Sequence, residues 1–179
     1  MTTPPRYLPS MPLPPYTYVP GRTPHPIRDP AGHMYGKHEQ SAELDIENWQ
    51  RCDQYLFGID LFNHGYYWEA HEAWESLWHA AERTGPIADF LKGLIKLAAA
   101  GVKTREGSKV GRVRHSVRSA ALLHQASIAL SLTEESRLMG LNPLQIAYLA
   151  EHAGREAMPH GGENAIERVF DFQLTPGGD

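Results

Sequence analysis

Cysteine is almost missing from this chain of 179 residues, and Cys52 is the only one. That excludes a disulfide framework within the chain and a cysteine-rich structural zinc site. It also fits a reducing compartment. A strong charge of either sign is lacking too. The formal net charge is −4, so no global basic field points to nucleic acid or to an anionic membrane surface. Long apolar runs are absent. The best stretch, 91–102, is interrupted by Lys92 and Lys96 and falls short of the roughly 20 residues that a membrane span requires. No basic start leads into an apolar segment, so no signal peptide is expected. Strand patterning of period two and internal repeats are missing, as are the nucleophile elbow, the P-loop and the dinucleotide fingerprint. A cytoplasmic protein, without a membrane or nucleic-acid partner, is the expectation.

Proline and glycine, by contrast, are plentiful at the N-terminus. Residues 1–38 form a Pro/Gly-rich arm that cannot build a core alone. Its tyrosines and histidines favour docking on the body over a solvated linker. Residues 39–158 read as one helical domain and 159–179 as a loop-like tail, with one short helical piece near 165–170. A helical stripe starts near Ser41 and runs to Gly65, a natural C-cap. Further helices are predicted at about 66–82, 86–104, 109–130 and from Asn142-Pro143 to Gly154. Thr133, followed by two acids, reads as a helix N-cap. The class is all-α, a small multihelical bundle of about five helices.

Chemistry concentrates in one run, Asn63 to Glu75, which holds three glutamates, two histidines and two tryptophans. On a helix, Tyr67, Ala70, Trp74, Trp78 and Ala81 share a face that should be the core contact. His71 lies within it, Glu75 faces His71 one turn on, and Glu72 is a neighbour. Glu69 points nearly opposite and should be solvated. A His–Glu pair can act as a general base or supply two metal ligands. It can equally be a structural pair that fixes helix packing. The zincin pattern fails, because Glu75 stands where the second histidine belongs, and the Glu-x-x-His repeat of di-iron bundles is missing. Further ligands could come from the arm. If it crosses this helix, His25 or His33 could join His71 and Glu75 in a mixed N/O site for a divalent transition metal.

Lys103, Arg105, Lys109, Arg112, Arg114 and Arg118 form a basic cluster beside a glycine-flanked helix start, where an anion could bind. A solvated helix face explains it as well, and no aromatics interleave for base stacking. That helix should bury the stripe Val110, Val113, Val117, Ala121, His124 and Ile128. Ala98 to Gly101 suggests close helix approach.

The pattern Asn63-x-Gly65-x-Tyr67-Trp68-Glu69-Ala70-His71-Glu72-x-Trp74-Glu75-x-x-Trp78 resembles the signature of the bacterial and archaeal family catalogued as domain of unknown function family 309. The segments 90–100 and 107–123 resemble its second and third blocks. The second block often carries Gln where this chain has Lys92 and Lys96. The resemblance implies a small multihelical domain and supplies no reaction. Two functions follow as expectations. One is a small hydrolase, metal-assisted or not, using His71, Glu75 and Glu72, with Asn63, Trp68 and Trp74 contacting substrate. The other is a non-catalytic helical module that binds a small molecule or a protein, in which the same helix is a structural network. A homo-oligomer is open to either.

Overall fold

Turns and caps divide the helical region much as the glycines and prolines suggest. In the computed structural model, residues 3–37, 43–155 and 166–177 are described. A 3-10 turn, Trp49–Arg51, leads into α1 (Asp53–Asn63), α2 (Tyr67–Ala80), α3 (Gly85–Arg105), α4 (Lys109–Ala129) and α5 (Pro143–Arg155). Among the described residues the only strand-like pairing is a single bridge, Leu138 with Leu141. Ser108 caps α4 by accepting from the Gly111 amide at 3.2 Å. Asn142 caps α5 by accepting from the Gln145 amide at 2.9 Å, just before Pro143. Each helix packs on the next in the chain, as short connections require.

The core forms where these helices meet. Trp74, Tyr55, Phe62, Ile59, Phe90 and Leu94 are fully buried. Two glycines set how closely the helices approach. A Cβ on Gly58 of α1 would stand 2.2 Å from Trp74 Nε1, and one on Gly101 of α3 would stand 2.5 Å from the Tyr67 ring. The small-residue run 98–101 thus lets α3 close on α2.

Residues 166–177 cross the α1–α2 pair in an irregular, largely extended form. Phe170 stacks on Phe62 at 5.3 Å between ring centroids. The Val169 amide donates to the Tyr67 hydroxyl at 2.8 Å. Burial pushes that phenol up to about 12, so it stays protonated. Asn63 closes the tail by pairing with Leu174 twice. Its Nδ2 donates to the Leu174 carbonyl and its Oδ1 accepts from the Leu174 amide, both at 2.8 Å.

Four local expectations need correction. Residues 43–48 are not helical, and α1 starts only at Asp53; Ser41 lies outside the described residues. Thr133 caps no helix and instead closes a turn, its amide donating to Ser136 Oγ at 2.9 Å. Residues 166–170 are not helical, because their backbone is spent on α1 and α2; the Gly161-Gly162 loop lies outside the described residues. Most important, α4 is rotated. Its buried side carries Gly111, Ser116, Ser119, Ala120, Leu123 and Ala126, while Val110, Val117, Ala121, His124 and Ile128 are exposed. Small side chains bring α4 against α3, and Ser119 Oγ donates to the Gly93 carbonyl at 2.7 Å. Ser127 Oγ likewise donates to the Leu123 carbonyl at 2.8 Å, so these two buried hydroxyls are satisfied by helix carbonyls.

Asn63→Ala would leave the buried Leu174 amide and carbonyl without partners. The expected loss is roughly 2–4 kcal/mol of stability in denaturant unfolding, with helix content retained.

Candidate functional site

Two carboxylates on neighbouring helices are buried without a lysine or arginine from the helical body, and the arm supplies their donors. Asp60 of α1 accepts from Arg6 Nε at 2.8 Å and from the amides of Tyr7 at 2.7 Å and Leu8 at 2.9 Å. Glu69 of α2 accepts from Thr17 Oγ1 at 2.7 Å, the Tyr18 amide at 2.8 Å and His33 Nε2 at 3.2 Å. The Glu69 side chain is 3% exposed and its His33 partner 8%. A buried carboxylate needs several donors to stay ionised, and hydrogen bonds to the charged form supply that. The arm's aromatics follow the same seat. Tyr18 and His25 both pack edge-on or tilted against Trp68 at 5.5 Å.

Between the arm and the outer sides of α1 and α2 lies a cleft of about 450 Å³. Met11, Leu13, Pro14, Phe57, Leu61 and Ala73 give it apolar walls, and His33, Glu69 and Glu72 contribute its polar side. Glu72 also belongs to a second group, on the adjacent side of α2. His71 Nδ1 is 3.2 Å from Glu72 Oε1 and 3.7 Å from Glu75 Oε2. One ligand atom from each of His71, Glu72 and Glu75 can lie within 4.8 Å of the others, and no other metal-ligand group of this kind occurs among the described residues. Lys92 of α3 meets Glu75 at 3.5 Å and lies 3.5 Å over the Trp78 ring, a cation–π contact. Burial and the charge of Lys92 push Lys96 down. His115 of α4 is pushed down to about 4, by burial first and then by Lys96 and Arg114, so its imidazole is neutral at pH 7. The result is a polar belt running from α2 across α3 to α4.

The structure sorts the expected site residues. His71, Glu72 and Glu75 do come together, but half-exposed rather than within the core face. Burial on α2 runs through Tyr67, Ala70, Ala73, Trp74 and Leu77 and reaches round to Glu69. It stops short of His71 and Trp78, which lie seven residues apart on the other side. Glu69, expected in solvent, is therefore the buried acid. The reason is the arm, which covers that side and which a wheel drawn for one helix omits. His25 and His33 do not join His71 and Glu75, because His33 is taken by Glu69 and His25 by Trp68. The four-ligand metal site across arm and helix is not formed. Asn63 holds the tail and is closed to substrate. Trp74 is fully buried, with Nε1 donating to the Tyr55 carbonyl at 3.4 Å, and Trp68 seats the arm. Within the basic cluster, Arg105 is buried on Glu167, Lys103 pairs with Glu106 at 2.6 Å and Arg112 is buried. Only Lys109, Arg114 and Arg118 are exposed.

Glu69→Gln would turn an amide NH₂ toward at least one arm donor. A loss of roughly 1–3 kcal/mol in arm docking is expected. Because open-state cleavage follows the opening equilibrium, trypsin should cut after exposed Arg22 and Arg28 about tenfold faster or more, with the helical body intact.

No curated protein and no solved structure matches the chain. A family model does match, over residues 55–115, which hold Asp60, Glu69, the His71 group, Lys92, Lys96 and His115 but not the arm. The matching model is that of DUF309, a domain of unknown function, and over those residues the chain is similar to it.

Proposed function

We propose that the chain is a helical binding module for a small molecule with an apolar body and an amine end, held in the cleft beneath the arm. The observation that carries this reading is the cleft itself. Its volume of about 450 Å³ lies in the range of small-ligand sites, and its walls are mostly apolar with a few convergent polar groups. The carboxylates Glu69 and Glu72 outnumber the one lysine of the lining, Lys37, which favours a cationic end. Glu69 is saturated by arm donors, so the half-exposed Glu72 is the acceptor for an ammonium group. The apolar body would lie along Phe57, Leu61 and Leu13. Burial of each methylene stabilises the complex by about 0.8 kcal/mol.

A second reading, a metal-assisted hydrolase, draws on the clustering of His71, Glu72 and Glu75 within 4.8 Å. One nitrogen and two carboxylates suit zinc or manganese and leave positions open for water and substrate. Lys92 beside Glu75 opposes a bound cation.

Calorimetric titration with n-alkylamines and matched n-alkylcarboxylates separates these readings. For the binding module, amine affinity rises with chain length and exceeds that of the carboxylates. Glu72→Gln then lowers it by about tenfold, or about 1.4 kcal/mol, and Ser76→Trp, which fills the cleft, abolishes it. No binding at any chain length, or equal binding of both series, removes the module reading. Titration with zinc and manganese is the parallel arm. Stoichiometric metal lost in His71→Ala supports the hydrolase, and no metal uptake removes it.

A further inference from the structure

The rotation of α4 leaves a seam that the described residues do not cover. The exposed residues Val110, Arg114, Val117, Ala121, His124 and Ile128 alternate in steps of four and three. That is the 3.5-residue period of a helix that packs along its length against another helix. Val110 is 81% exposed, Val117 58% and Ile128 80%, although a solvated face has no use for three β-branched residues. α5 lies alongside and adds Tyr148, 68% exposed, and Glu151, whose Oε1 is 3.7 Å from His124 Nε2.

We propose that this α4 seam is a homodimer interface, in which α4 packs antiparallel on α4 of a second copy about a two-fold axis at Ser119. The order of residues along the seam supports this occupant. In that register Val110 meets Ile128 of the second copy, Val117 meets Ala121, and Arg114 meets His124. Each pairing occurs twice, so the seam is complementary to itself, as an isologous contact must be. The apolar residues meet apolar ones, and the small Ala121 lets the helices close. The one polar pairing delivers Arg114 to the His124–Glu151 pair of the second copy, where the Glu151 carboxylate, shared with exposed Arg155 at 3.3 Å, takes a further cation. Charge points the same way. Lys109, Arg114 and Arg118 lie in the N-terminal half of the exposed face, whereas Glu151 and the exposed Glu134 and Glu135 of the following turn lie towards its C-terminal end. Antiparallel pairing sets opposite charges together, while parallel pairing would stack Arg114 on Arg114 and Val110 far from Ile128. The seam runs from Val110 to Ile128, about 27 Å at 1.5 Å per residue. It lies apart from the arm and its cleft, so it stands independently of the binding reading.

The test is sedimentation velocity of the full chain up to high-micromolar concentration. The expected particle has twice the 20.0 kDa chain mass. Val117→Glu and Ile128→Glu should each give the single-chain mass with an unchanged far-UV spectrum, because both side chains are exposed in the isolated chain. Arg114→Glu should weaken the dimer, and adding Glu151→Arg should restore it. The register has its own readout. Val117→Cys with Ala121→Cys should cross-link on oxidation while Val117→Cys alone does not; Cys52 is buried and takes no part. A wild-type chain of single mass, a dimer indifferent to both glutamate variants, or cross-linking by Val117→Cys alone would each overturn the proposal. A heterologous partner on this face would show as the first of these.

Discussion

Two buried carboxylates carry the arrangement of the chain around its helices. Asp60 and Glu69 each sit at a place where no helix can satisfy them, and each receives three donors from the proline-rich arm. Four of the six donors are a backbone amide or a short side chain on an extended segment, and such segments have amides to spare because they form no ladder of their own. The exchange is mutual. Without the arm the carboxylates would be stranded under apolar neighbours, a loss on the order of 3–5 kcal/mol for a broken buried partner. Without the carboxylates the arm would have aromatic contacts but little to fix its register. The cleft beneath the arm lies along the stretch between these two anchor points.

Much of the fold was legible because the signals were local. Gly65, Pro86, Ser108 and Asn142-Pro143 mark helix ends by their own backbone chemistry, and the all-α class followed from the periodicity. The failures concern contacts made at long range. Glu69 was misplaced because its partners include a backbone amide and a threonine more than fifty residues away, and amides leave no trace in composition. α4 was misread because its valines and isoleucine were taken as the core stripe. The serines are buried at a close helix crossing and the valines are outside. A signal was available, since Ser116, Ser119, Ala120 and Ser127 share one small-residue face at 100° per residue. The His71 group was found correctly as a cluster, yet its depth was not legible, because depth depends on which side of α2 the arm covers.

α2 separates two environments that differ in kind. On the arm side Glu69 is dehydrated, saturated and fixed. On the other side His71 and Glu75 face Lys92 across a short gap, and Lys96 and His115 continue the belt onto α3 and α4. Glu72 stands between them, lining the cleft while touching His71. Lys92 and Lys96 therefore matter. Lys92 gives the belt a positive charge that offsets Glu75, and the same ammonium lies over the Trp78 face. A neutral amide there would leave Glu75 more available to a cation.

The tail that closes over α1 and α2 has a consequence for synthesis on the ribosome. Leu174 locks onto Asn63 across 111 positions of sequence, and Val169 onto Tyr67 across 102. A chain emerging from its N-terminus presents the α1–α2 pair long before these closing residues exist. Phe62 and Tyr67 must therefore wait, uncovered on one side, until the last aromatics leave the exit tunnel. During that interval the nascent chain carries an exposed aromatic surface, and chaperone demand should peak then and fall once the tail has emerged.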